Sequence, residues 1–341
     1  INPCTEEEIA SVPLGNEEDV QKAVIAARQA FPSWSKTSVA DRIKLISKLS
    51  EAIAARQNEI GDTISREMGM PSAWSRMIQV GLPVATLNSF VPILENYSFS
   101  YPMGRTEIVK EPIGVCGFIT PWNYPLHQLV GKVAPALAAG CTMVAKPSQL
   151  APLNAYAFTE IMQEIGVPPG VFNLVPGAGS KVGYALSSHP DVDMVSLTGS
   201  TKSGIAVAQA AATTIKRVTL ELGGKSPNVL LEDADIPMAV TKGVYNCFLN
   251  SGQTCIALSR MIVPAHKQKE IVEMAKAIVE SMVMGDAFTD GVYLGPMVDD
   301  AQRQSVREYI RAGIREGATL VTGGPETPEN LPKGFFVKPT L

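Results

Sequence analysis

Between Ile113 and Leu222 the sequence alternates short apolar runs with helical patterns, and this alternation constrains the fold more than any other feature. The runs Ile113–Ile119, Cys141–Ala145, Val171–Val175, Val192–Leu197 and Val218–Leu222 read as buried strands. Between them lie Leu126–Ala139, closed by Gly140, and Ala151–Ile165, closed by Gly166, followed by Lys181–Ser188 and Lys202–Ala212. A glycine just past a helix takes the left-handed conformation at no steric cost. Strands separated by helices require right-handed crossovers, so the pattern predicts an α/β fold: a doubly wound parallel sheet covered on both faces.

The flanking segments differ in pattern. Glu17–Phe31 and Ser38–Ile60 carry apolar residues at helical spacing, such as Ile43, Ile46, Leu49 and Ile53, and Pro32 and Ser33 separate the two. Tyr97–Lys110 alternates polar and apolar residues around Gly104, which predicts a hairpin suited to pairing with another subunit. After Gly224 the expected elements are a strand at Asn228–Glu232 and helices at Asp235–Ser251, Gln268–Met284 and Asp300–Glu316. Further strands are expected near Leu320 and Phe335. A chain of 341 residues suggests two domains, a cofactor-binding domain over 1–223 and a second α/β domain over 224–341. The sequence starts on Ile1 rather than Met and stops at Leu341 inside an apparent strand, so the second domain reads as incomplete.

Composition excludes several function classes. The 29 basic and 33 acidic side chains leave a net charge of −4, which argues against nucleic acid or an anionic membrane as partner. The 5 cysteines are scattered with no C-x-x-C pair, which points to a reducing, cytoplasmic compartment. The 3 histidines are isolated from one another and from the cysteines, so no metal site is expected. The longest nearly apolar run, Val133–Ala145, is broken by Pro135, Gly140 and Thr142 and is too short to span a bilayer.

Several residues stand where chemistry would need them. Cys255 follows the small, polar Ser251-Gly252-Gln253-Thr254, an approach that leaves a thiol accessible, and cysteine is the best neutral-pH nucleophile. The competing reading is a small buried hydrophobe, the usual fate of a free cysteine. That reading fits Cys116 and Cys141 within apolar strands, and Cys247. Glu221 ends an apolar run before Gly223 and Gly224, where a carboxylate is costly unless it reaches a polar cleft or lies on an edge strand. Asn123 sits between Trp122 and Tyr124, in a loop stiffened by Pro121 and Pro125. Lys146, Ser148 and Gln149 follow a strand end, where open α/β sheets bind ligands. Gly199-Ser200-Thr201-Lys202-Ser203-Gly204 also follows a strand, and its glycines and helix start suit a pyrophosphate.

Five segments taken in order resemble the aldehyde dehydrogenase superfamily: Pro121-Trp122-Asn123-Tyr124-Pro125, Lys146-Pro147-Ser148, Leu197-Thr198-Gly199-Ser200-Thr201, Glu221-Leu222-Gly223-Gly224-Lys225-Ser226-Pro227 and Gly252-Gln253-Thr254-Cys255. The resemblance runs over essentially the whole chain. It implies a variant Rossmann domain joined to a catalytic domain, and oxidation of an aldehyde to a carboxylate with NAD or NADP. Within that reaction it implies Cys255 as nucleophile, Glu221 as the base that activates water, and Asn123 as oxyanion donor. Ile119, Thr120, Pro121, Trp122, Lys146, Ser148, Gln149, Gly179, Gly199, Ser200, Gly204 and Leu222 are the implied cofactor contacts. Gln149 departs from the glutamate common at its position, which removes a charge that would repel a 2′-phosphate. The resemblance also places Gln128 and Gly131 on the substrate side, with Thr254, Ile256 and Phe248 near the nucleophile, and it implies a homodimer or homotetramer. Arg105 and Arg260 are the two arginines that the fold could bring toward a substrate carboxylate.

Two rival activities remain on the same scaffold. Acyl transfer to coenzyme A generally dispenses with the glutamate base, so Glu221 favours water. An inactive fragment is the other, because the family continues past Leu341 into a Glu-x-Phe-Gly-Pro motif that positions the nicotinamide ribose. A serine hydrolase is disfavoured by the lack of a G-x-S-x-G elbow.

Overall fold

The computed structural model describes residues 1–341. Packing divides the chain into two compact units, one made of Val12–Thr63 and Arg76–Leu222, the other of Ile1–Ser11, Ile64–Ser75 and Gly223–Leu341. The sequence division assigned all of 1–223 to one domain, whereas two N-terminal segments group with the C-terminal part.

Helix α1 (Glu17–Trp34) starts on a capping box in which the Asn16 side chain accepts from Asp19 N–H and Asp19 returns a bond to Asn16 N–H. Pro32, expected to separate two helices, lies inside the end of α1. The second helical pattern divides at Arg56 into α2 (Val39–Ala55) and α3 (Gln57–Met68). The short α4 (Ser72–Trp74) leads through a π-helical turn at Ser75–Val80 into α5 (Gly81–Asn96). By length and composition alone the run Ser72–Asn96 could cross a bilayer, with a mean hydropathy of 1.5. Its α5 portion instead buries Pro83, Leu87 and Leu94 and packs on α2.

The expected hairpin forms from β1 (Ser100–Met103) and β2 (Thr106–Val109), antiparallel and exposed along nearly its whole length. Then come β3 (Val115–Ile119), α6 (Pro125–Ala139), β4 (Thr142–Lys146), α7 (Leu153–Glu164) and β5 (Phe172–Leu174). A second π-helical turn, Gly179–Gly183, runs into α8 (Tyr184–Ser188), followed by β6 (Met194–Gly199), α9 (Thr201–Ala211) and β7 (Arg217–Leu222). Gly140 ends α6 at φ +85°, as its position predicts. The five strands are parallel in the order β5-β4-β3-β6-β7, so the chain builds outward from β3 in one direction and then in the other. The doubly wound sheet read from the sequence is therefore present. Val115, Val144, Val195 and Leu197 bury one sheet face against Val20, Val24 and Ala27 of α1 and Leu186 of α8. Each valine or leucine among them contributes about 1.5–3 kcal/mol on burial.

In the other unit β8 (Pro227–Val229) pairs parallel with β9 (Arg260–Ile262). Helices α10 (Ile236–Phe248) and α11 (Gln268–Ser281) enclose a core of Leu230, Val240, Val244, Ile271, Ala275 and Val279, and α12 spans Asp300–Arg315. The strands expected near Leu320 and Phe335 do not form. Val321 N–H donates to Leu341 C=O at 2.8 Å and Phe335 N–H to Pro3 C=O at 2.9 Å, but no ladder follows. Gly323 at φ +87° and Gly324 at φ +116° turn the chain out of the extended conformation beside Leu320.

Candidate active site

The strand order reverses at β3, so a crevice opens between the carboxyl ends of β3 and β6, where open α/β sheets bind ligands. A cavity of 770 Å³ lies there. Ten of the expected cofactor residues line it: Ile119, Thr120, Pro121, Trp122, Lys146, Ser148, Gln149, Gly179, Gly199 and Ser200. The ladder pairs Ile119↔Lys146 and Ile119↔Leu197 bring three of its walls into register. Gly204 and Leu222 are not in the lining. They face each other instead, and a Cβ on Gly204 would stand 3.0 Å from Leu222 Cδ2, so glycine here lets α9 approach β7. Lys202, from the Gly199–Gly204 segment, also lines the cavity, as do Tyr184 and Ser187, which the sequence reading missed because no motif marks them.

This cavity fits a dinucleotide. Ser200, Lys202 and Ser203 at the α9 N-terminus, a setting that favours an anion, are in its lining, and the Ser200 hydroxyl caps that helix by accepting from Ser203 N–H at 3.2 Å. Lys146, 5% exposed, donates to Pro147 C=O at 2.7 Å and Gly177 C=O at 3.1 Å. Burial pulls its ammonium pKa down to about 8. Exposed Gln149 adds an amide and no charge.

Asn123 lies in the loop between β3 and α6. Its side-chain Oδ1 accepts from Tyr124 N–H at 3.0 Å, so the amide's acceptor end is held by the backbone and its other end is the donor. Gln128, one turn into α6, accepts from the Thr198 hydroxyl at 3.1 Å and so faces the end of β6.

Glu221 is exposed near the end of β7, an edge strand of the sheet. It lines a groove of 1010 Å³ with Gly131 and Lys132 of α6, where Gly131 has open space beside its Cα. Lys132 is buried and donates to Ser196 Oγ at 2.9 Å. Burial lowers its pKa to about 8, and the Glu221 carboxylate partly offsets that effect. The sequence reading missed Lys132, although a lone lysine amid Leu129-Val130 and Val133-Ala134 was a usable signal.

Cys255 belongs to the other unit. After α10 the backbone passes through Asn250 at φ +55°, Ser251 at φ +57° and Gly252 at φ +77°. A left-handed non-glycine residue costs roughly 1–2 kcal/mol, so two in succession need support. Ser251 Oγ donates to Gly295 C=O at 2.9 Å, and Thr254 Oγ1 to Leu249 C=O at 3.1 Å. Gln253 Nε2 donates to Asn250 C=O at 3.1 Å, while Gln253 Oε1 accepts from Val298 N–H at 3.0 Å. The loop leaves Cys255 half-buried and the next residue, Ile256, 73% exposed. Cys116 in β3 and Cys141, just before β4, are buried as expected, whereas Cys247, also read as a packing residue, is only half-buried. Arg260 is occupied by Lys225 C=O at 3.0 Å, and Arg105 sits exposed at the hairpin turn.

The aldehyde dehydrogenase family profile matches residues 1–341. The chain belongs to the aldehyde dehydrogenase family. It is 48% identical to 3-succinoylsemialdehyde-pyridine dehydrogenase of a Pseudomonas species, over all of this chain and 72% of that protein. Among solved structures it matches aldehyde dehydrogenase C of Pseudomonas syringae, a Cys-to-Ala mutant in complex with NAD+ and octanal. The TM-score is 0.99 at 48% identity, covering 100% of this chain and 70% of the other. Betaine aldehyde dehydrogenase of Staphylococcus aureus in complex with NAD+ matches at TM-score 0.95 and 34% identity, over 100% of this chain and 69% of the other. The fold and the activity class, aldehyde oxidation with a nicotinamide cofactor, are those expected from the five sequence segments.

Proposed function

We propose that this aldehyde dehydrogenase converts its substrate to a carboxylate through a thioester on Cys255, with Asn123 and Glu221 serving the two halves of the reaction. The observation that carries the reading is the Cys255 loop, which spends backbone strain to present a half-buried thiol. The Cys255 thiolate adds to the aldehyde carbon, forming a C–S bond and an oxyanion. The Asn123 amide donates to that oxyanion, a contact whose loss typically slows catalysis by roughly 10²–10³-fold. A bound nicotinamide would supply the hydride acceptor needed to convert this thiohemiacetal into a thioester. The Glu221 carboxylate then takes a proton from water, the water oxygen forms the new C–O bond, and the C–S bond breaks to return the thiol. In the cofactor cavity, Lys146 and Ser148 would hold the adenosine ribose, and the α9 N-terminus the pyrophosphate.

NAD+ is bound in the two solved relatives named above, and Gln149 lets this chain accept NADP as well. The exposed hairpin, with Met103 and Val109 each about 60% exposed, supports assembly into a homodimer or homotetramer. Five free cysteines fit a cytoplasmic setting.

The second half-reaction gives the test. Glu221→Gln should still reduce the nicotinamide once per active site and then stall, so rapid mixing shows a burst and mass spectrometry an acylated Cys255 peptide. Steady turnover with no acyl-enzyme would remove Glu221 from the mechanism.

A further inference from the structure

Gln79 is fully buried, at 0% exposure, within the apolar stretch Met77-Ile78-Gln79-Val80. A buried amide costs about 1–3 kcal/mol unless its polar atoms are bonded, and leucine or methionine would fill such a place without that cost. Its presence therefore calls for a polar task. Gln79 lies in the π-helical turn Ser75–Val80, where the extra residue of the wider turn re-aims the side chains that follow. Its Nε2 donates to the backbone carbonyl of Asn123 at 2.8 Å.

The acceptor is what makes this contact informative. The carbonyl of Asn123 belongs to the peptide group joining Asn123 to Tyr124. The N–H of that same peptide donates to Asn123 Oδ1 at 3.0 Å. One peptide plane is thus gripped at its oxygen by Gln79 and at its nitrogen by the Asn123 side chain. If the plane rotates, the Asn123 amide rotates with it. The flanking backbone bonds, Thr120 N–H to Lys146 C=O and Gln128 N–H to Tyr124 C=O, anchor the ends of the loop without fixing this plane.

We propose that Gln79 is a positioning residue for aldehyde oxidation, setting the orientation of the Asn123 amide through the Asn123–Tyr124 peptide. The proposal rests on the reading of Asn123 as oxyanion donor. It identifies a π-helical turn, remote in sequence from every recognised motif, as part of the machinery.

The test is a double-mutant cycle in the complete NAD-loaded enzyme. Gln79→Met removes the donor at similar volume and should lower kcat by roughly 10- to 100-fold, the scale of a small misplacement at a reacting centre. NAD affinity, followed by fluorescence titration, should stay within about twofold, since Gln79 does not line the cofactor cavity. In the Asn123→Ala background the same substitution should cost kcat almost nothing, because there is no amide left to orient. An equal loss in both backgrounds would reduce Gln79 to a packing residue and overturn the proposal, as would an unchanged kcat in Gln79→Met. A full kcat in Asn123→Ala alone would instead sink the oxyanion reading, and this proposal with it. If Gln79→Met does not fold, Gln79→Asn keeps an amide but withdraws it by one methylene, and the same coupled loss is expected.

Discussion

Around the cofactor cavity, side chains leave from the ends of β3, β4 and β6, whose positions are set by ladder pairs such as Ile119↔Lys146 and Ile119↔Leu197. Around Cys255 no ladder exists. There the backbone runs through three residues at positive φ, and the side chains of Ser251, Gln253 and Thr254 hold it against nearby carbonyls. A ladder shares a perturbation over many bonds, whereas this loop depends on a few. The contrast teaches that substitutions in the cavity should have graded effects, and substitutions at the loop severe ones.

The largest expected effect sharpens that contrast. In the complete enzyme Cys255→Ser should bind NAD normally and lose aldehyde oxidation by at least about 10³-fold, because serine is not ionised near neutral pH. Cys116→Ser, buried in β3, should change the melting temperature more than the rate. Substantial turnover by Cys255→Ser would remove the covalent mechanism.

The comparison itself is tested by the next effect in size. Gln253→Leu deletes side-chain bonds to Asn250 C=O and from Val298 N–H, each worth about 1 kcal/mol net and more where a buried partner is left unsatisfied. We expect kcat to fall roughly 10- to 100-fold, as the thiol loses its fixed approach. Ser148→Ala, at the rim of the ladder-built cavity, should change NAD affinity by only a few-fold, about 1 kcal/mol or less. Equal and mild effects from the two substitutions would show that the loop is no more fragile than the sheet.

Legibility in the sequence follows the same division. The central strands and the glycine that ends α6 were readable because each depends on local pattern, apolar runs and a left-handed terminus. The cavity was readable because its residues fall at strand ends. What escaped depends on partners distant in the chain. Nothing at Arg56 marks the break between α2 and α3, since neither proline nor glycine stands there. Leu320 and Phe335 have strand-like neighbours, but the few backbone bonds there, such as those between Thr322 and Leu341 and from Phe335 to Pro3, do not extend into a ladder. Gln79 carries no sequence signal beyond being one polar residue in an apolar stretch, and only its contact with the Asn123 carbonyl singles it out. Gly204 read as a phosphate glycine, yet its value lies in contact with Leu222.

The smallest expected effect concerns pH and the cavity's choice between cofactors. Burial lowers the Lys146 pKa from an ordinary 10.5 to about 8, while its bonds to Pro147 and Gly177 carbonyls hold the ammonium that remains. In the unfolded chain the lysine keeps its proton to the higher value. Between the two values the unfolded state therefore binds more protons, and stability rises with pH across that window. For ligands the sign is opposite. A 2′-phosphate beside Lys146 favours the ammonium, so NADP affinity should be full below about pH 8 and decline above it, while NAD, lacking that phosphate, changes less. The ratio of the two dissociation constants, measured by fluorescence titration from pH 7 to 9.5 at fixed ionic strength, should rise several-fold in favour of NAD, within the limit of about tenfold per unit that one proton allows. Lys146→Met should flatten the profile. Gln149→Glu should shift NADP to weaker binding at every pH through like-charge repulsion and leave NAD nearly unchanged. A flat ratio in the unmodified enzyme would mean that Lys146 does not face the 2′ position, and equal effects of Gln149→Glu on both cofactors would remove Gln149 from it as well.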